Sequence, residues 1–106
     1  MTKQTQRRLV VGDCYPTAGR YVMDNHDSVL VHGTVTGQGP IEGQRIGHAW
    51  CEVGGVVIDR SNGNDILMSR DRYYEIGEII DPVKYTHEEA ISMMVDTGHF
   101  GPWEEE

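Results

Sequence analysis

Three side chains of this sequence have the types and spacing for nucleophilic chemistry: Cys14, His48 and Asp59. An ionised thiol is a strong nucleophile, an imidazole can take and return its proton, and a neighbouring carboxylate fixes the imidazole tautomer and stabilises the imidazolium. Around Cys14, an apolar run, Leu9-Val10-Val11, gives way to Gly12-Asp13 and then to a helical pattern with Pro16 near its start. Proline suits the first turn of a helix, where its missing N–H costs nothing, and Asp13 is a good capping residue. The sulfur is therefore expected at or just before a helix N-terminus, whose partial positive charge favours thiolate over thiol. Cysteine is also commonly a small buried hydrophobe, and that reading stands beside the reactive one.

The other two side chains belong to one hairpin. His48-Ala49-Trp50-Cys51-Glu52-Val53 and Val56-Val57-Ile58-Asp59 are strand-forming runs separated by Gly54-Gly55, and a two-residue primed turn needs the positive φ that glycine adopts without strain. That turn length sets the register. Val53 faces Val56, Cys51 faces Ile58, Trp50 faces Asp59 and His48 faces Ser61. Side chains alternate between faces and opposed residues share one, so His48, Trp50 and Asp59 project from the same side, with Asp59 diagonal to His48.

A cysteine at a helix start, then a His-Ala-Trp-x-Glu-Val strand, a hairpin turn and an aspartate resembles the transglutaminase-like branch of the papain-like cysteine enzymes. The match covers roughly residues 12 to 60. The resemblance implies an α+β fold with a papain-like, transglutaminase-like core: an N-terminal nucleophile helix packed on an antiparallel β-sheet, with a C-terminal helix. It implies Cys14 as nucleophile, His48 as base and Asp59 as orienting acid, with Trp50 packing beside them in contact with substrate. The activity implied is acyl transfer through a thioester, as in a peptidase, amidase, deamidase or transglutaminase, on a peptide, protein or small amide and without cofactor or metal. A second oxyanion donor is not identifiable; Gln4 and Gln6 lie upstream, as an oxyanion glutamine does in papain-like proteases.

Other readings of the same residues stay open. His48-x-x-Cys51 looks like half a zinc site, but strand residues three apart point to opposite faces and cannot converge without a bulge. Cys51 is better placed as an inward-packed apolar residue. A papain-like groove could be kept as an inactive binding module for a peptide, small ligand or protein partner, and an acidic surface could serve an interaction protein. The formal net charge of -8 works against nucleic-acid binding, which rests on phosphate neutralisation by Lys and Arg. The apolar run after the polar N-terminus is too short for a signal peptide and no segment approaches membrane-spanning length, so a cytoplasmic protein with reduced thiols is expected.

The elements that must position these residues read as one domain over 1–106, with a flexible arm at 1–8 and an acidic tail at 99–106. A helix is expected from Pro16 to Asp24, with Ala18, Tyr21 and Val22 on its apolar side and Gly19 either exposed or packed by a neighbour. Ser28 to Thr36 is a strand carrying His32, expected to be structural, and 37–44 is a glycine-rich loop beside the site. Ser61 to Asp65 reads as a polar turn, Ile66 to Tyr74 as a cover over one sheet face, and Glu75 to Ile80 as the last strand. Thr86 and Glu89 form a capping box, with Ala90, Met93 and Met94 on the apolar stripe and Gly98 as the stop. Trp103 then docks on the domain or on a partner, and the terminal glutamates are solvated.

Overall fold

The computed structural model describes residues 13–36 and 43–104. The N-terminal arm, Leu9-Val10-Val11, Gln4, Gln6, most of the glycine-rich loop and the last two glutamates lie outside the described residues. The first helix, α1, spans Cys14–Asp24, so that Cys14 is its first residue. Cys14, Ala18 and Val22, one turn apart in succession, are buried and lay the helix on the sheet. Asp13 occupies the capping position but makes no side-chain cap. Its carboxylate instead accepts the Asn62 N–H at 2.7 Å, tying the helix start to a 3-10 turn at Ser61–Gly63.

After the turn at Asn25–Ser28 come β1 (Val29–Thr36), β2 (Arg45–Val53), β3 (Val56–Asp59) and β4 (Ile66–Ser69), then α2 (Arg70–Gly77), β5 (Ile80–Tyr85) and α3 (His87–Thr97). The strands form one antiparallel sheet in the order β4-β3-β2-β1-β5. The β2–β3 hairpin has the expected register, Val53 opposite Val56 and Cys51 opposite Ile58, with Gly54 and Gly55 at φ 56° and 87°. The chain is thus α+β, with helices on both faces of the sheet. On one face, α1 and α3 cover Leu30, Ala49 and Cys51 with Ala18, Val22 and Ala90, and Met93 and Met94 pack around them. On the other, Tyr73 and Tyr74 of α2 pack on Val31, Trp50 and Val57. Fully burying a side chain such as Leu30 or Val31 contributes about 1.5–3 kcal/mol, so these two clusters hold the layers together.

The stretch expected as the last strand, Glu75 to Ile80, is instead the end of α2 and its exit. Ser69 caps that helix, its Oγ accepting the Arg72 N–H at 3.3 Å, and Asp71 complements the positive helix end. The last strand begins at Ile80 and runs through Pro82, which lacks an N–H and is tolerated because β5 lies at the sheet edge. The α3 capping box forms as read, with Glu89 N–H to Thr86 Oγ1 at 3.1 Å and Thr86 N–H to Glu89 Oε1 at 3.0 Å; Gly98 closes the helix at φ 78°. Trp103 docks on the domain itself, 2% exposed. Glu104, expected in solvent, accepts hydrogen bonds from Tyr85 at 2.6 Å and from the His32 Nδ1–H at 2.7 Å. Among the described residues no helix is long and apolar enough to cross a membrane.

Candidate active site

His48 sits near the start of β2 and turns its Nε2–H toward Asp59 at the end of β3, donating to Oδ2 at 2.9 Å. Cys14 is close enough to the ring to act on its ionisation, together with Asp59. With Nε2 held by Asp59, Nδ1 is the ring nitrogen left to exchange a proton. The imidazole thus lies between the last residue of β3, to which it is bonded, and the first residue of α1, whose side chain acts on its ionisation. Burial alone would lower its pKa, but hydrogen bonds and charge from Asp59 and Cys14 outweigh it and raise His48 from 6.5 to about 9.

Asp59 is 4% exposed, and both its oxygens are saturated. Oδ2 takes the Tyr73 hydroxyl at 2.7 Å besides His48, while Oδ1 takes the Ser61 N–H at 3.1 Å and the Ser61 hydroxyl at 2.7 Å. Burial would favour the neutral acid, yet the bonds from His48, Tyr73 and Ser61 hold the carboxyl well below its usual range. A buried charge with every lone pair engaged is fixed in place, and it keeps the imidazole in one orientation. Burial and the Asp59 charge together push the Tyr73 hydroxyl far up, so that it stays a donor.

Trp50, expected beside the triad, stacks on His48 with centroids 6.0 Å apart and is wholly buried. Its indole N–H donates to Glu52 Oε2 at 3.0 Å, which also accepts the Tyr74 hydroxyl at 2.7 Å. Lys84 at 3.4 Å and Arg70 at 3.9 Å balance the other oxygen of this buried carboxylate. Trp50 is thereby locked behind the imidazole. Gly33 lets it lie there, since a Cβ at that position would come within 2.9 Å of the indole Cη2. Cys51 faces the opposite layer, 1% exposed, with its S–H donating to Ala18 O at 3.2 Å. Burial first, then the Asp59 charge, raises its thiol to about 12, so the two cysteines of the chain lie in unlike surroundings.

A cavity of about 390 Å³ runs from Cys14 along α1, past Ala18 and Tyr21, to Asp59, Arg60 and Ser61. Cys14 itself is 8% exposed. Its backbone N–H is among the first four of the helix, which have no acceptor within the helix, and it points toward the positive end of the dipole. Tyr15 crosses the start of β2 because residue 47 is glycine: a Cβ there would lie 2.8 Å from the tyrosine hydroxyl.

Cys14, His48 and Asp59 are thus brought together, with Trp50 packed beside them. Reading the sequence for chemistry passes over Ser61 and Tyr73. Ser61 carried a signal, for an aspartate two residues before a serine is the pattern of a carboxylate that accepts the N–H two positions on. Tyr73 carried none, because it reaches Asp59 from a helix elsewhere in the chain. No protein-family model, curated protein or solved structure matches this chain.

Proposed function

We propose that this chain is a thiol-dependent acyl-transfer enzyme with a papain-like, transglutaminase-like core, working through Cys14, His48 and Asp59. The observation that carries this reading is an imidazole bonded to a buried Asp59 at 2.9 Å and acted on by Cys14, the first residue of α1, whose side chain lines a cavity. In the reaction, the Cys14 thiolate attacks the carbonyl carbon of an amide while His48 holds the proton. The resulting oxyanion takes up the Cys14 backbone N–H, and the C–N bond breaks as His48 protonates the departing nitrogen. The acyl group remains on sulfur as a thioester until water, activated by His48, or an amine displaces it. Asp59 stays ionised throughout and orients the ring.

The same geometry also supports an inactive binding module, because Cys14 is only 8% exposed and the cavity alone can hold a peptide or small ligand. The two readings part on covalent chemistry. Treated with p-nitrophenyl acetate, an acyl-transfer enzyme releases a burst of p-nitrophenol stoichiometric with protein and carries acetyl on Cys14 by peptide mass mapping. The burst disappears in Cys14→Ala and slows by about 100-fold or more in His48→Ala. Absence of a burst, with ordinary slow acetylation spread over lysines, would leave the binding module as the better reading.

A further inference from the structure

A second cavity, of about 190 Å³, opens between α2 and the sheet, and it takes in the imidazole rather than the sulfur: His48 lines it with Ile66, Met68, Tyr73, Ile76 and Ile79. We propose that this cavity is the leaving-group subsite, receiving one aliphatic or aromatic side chain carried on the amine half of the substrate. The inference rests on the acyl-transfer reading above, because it uses the direction in which His48 returns its proton. The nitrogen that leaves is the one protonated by the imidazole, so whatever that nitrogen carries departs on the side of His48. On that side the wall is almost wholly apolar.

Chemistry and size narrow the occupant. The Tyr73 hydroxyl is committed to Asp59 at 2.7 Å and the Thr36 hydroxyl at the rim to Glu78 at 3.3 Å, so neither calls for a polar guest. No carboxylate is among the described residues lining the cavity, so a cationic side chain would be buried there without a partner. A whole ligand occupies roughly 300–1,000 Å³, and a cavity below that range fits a single side chain. Ile76 is 47% exposed at the mouth, apolar surface that a bound side chain would cover. The substrate class is then an amide whose amine half begins with a leucine-like or phenylalanine-like residue, not a lysine.

By microscopic reversibility an amine attacking the thioester enters through the same subsite. Cys14 is acetylated with p-nitrophenyl acetate, and deacylation is followed with glycinamide, leucinamide or lysinamide present. Leucinamide is expected to capture the acetyl group about tenfold or more over glycinamide, and lysinamide no better than glycinamide. Ile76→Ser should pull the leucinamide preference back toward the glycinamide level. A second measurement does not need the chemistry: in Cys14→Ser, leucinamide but not glycinamide should shift the NMR methyl signals of Ile66, Met68 and Ile79. Methyl shifts without any acetylation would sustain the apolar subsite and overturn the acyl-transfer reading. Equal capture of the amines, or no shift at those methyls, would overturn the subsite itself.

Discussion

At the scale of single residues the site depends on how completely Asp59 is satisfied. Four hydrogen bonds fix its two oxygens, and through it one orientation of His48. Asp59→Asn keeps the shape and removes the charge, leaving an imidazolium facing a neutral amide. The His48 pKa, followed by NMR titration, is expected to fall from about 9 toward or below 6.5, with a loss of about 3 kcal/mol of stability at neutral pH in urea melts. An unmoved titration would mean that Asp59 does not carry the shift. The pairing of His48 with Asp59 was legible because a two-glycine turn sets the register and strand alternation then places both on one face. The Asp13 side chain was misread for a local reason. Its position before the helix suits a cap, but the Asn62 N–H, brought near only by the folded chain, is the donor it meets.

At the scale of elements, the helices whose ends carry their own signals were readable. Thr86, Glu89 and Gly98 define α3 without reference to anything distant. By contrast, α2 joins the end of the stretch read as a cover, with Tyr73 and Tyr74, to the start of the one read as a strand, Glu75 to Gly77, and what decides it is the Ser69 cap together with packing on Trp50. The buried Gly19 of α1 has its meaning only in the assembled layers. A Cβ there would stand 2.5 Å from Phe100 Cδ1, so the ring and its stacking under the Arg20 guanidinium at 5.2 Å must shift. Alanine improves helix propensity by about 1 kcal/mol, while overpacking costs about 1–3 kcal/mol. Gly19→Ala is accordingly expected to lower the midpoint of thermal unfolding. A raised midpoint would show that Phe100 moves aside without cost.

At the scale of the whole molecule, the C-terminal segment closes the layer that holds α1. Trp103 packs on His32 and Tyr85, and Glu104 bonds to both. The sequence left open whether Trp103 docks on the domain or on a partner, because the choice depends on β5 lying beside β1, which brings His32 and Tyr85 together, and the sequence pattern placed the last strand earlier. Trp103→Ala should cost about 3–5 kcal/mol in chemical denaturation, and a loss under about 1 kcal/mol would contradict the docking. The same charges set the response to pH. His48 is raised above its ordinary 6.5, so its stabilisation is full below about 6.5 and is lost as pH climbs through about 9. Asp59 is depressed, so its share is present above its ordinary 3.8 and is lost as pH falls further. Burial holds His32 below 6.5 against the pull of Glu104, so stability carried by its neutral ring is also lost on acidification. Comparison of wild type with His48→Gln should show a stability gap that is widest near pH 6 and closes above about pH 9. A gap independent of pH would refute the assigned ionisation.

The most direct measurement is the iodoacetamide alkylation rate of each cysteine, followed by mass spectrometry from about pH 6 to pH 10 in wild type and His48→Ala. At about pH 7 an imidazole-paired Cys14 is expected to react at least tenfold faster than the same residue in His48→Ala. Cys51, buried and raised to about 12, stays slow throughout and serves as the internal reference. Slow labelling of Cys14, unchanged by the loss of His48 across the whole range, would contradict a Cys14–His48 nucleophile and with it the acyl-transfer function.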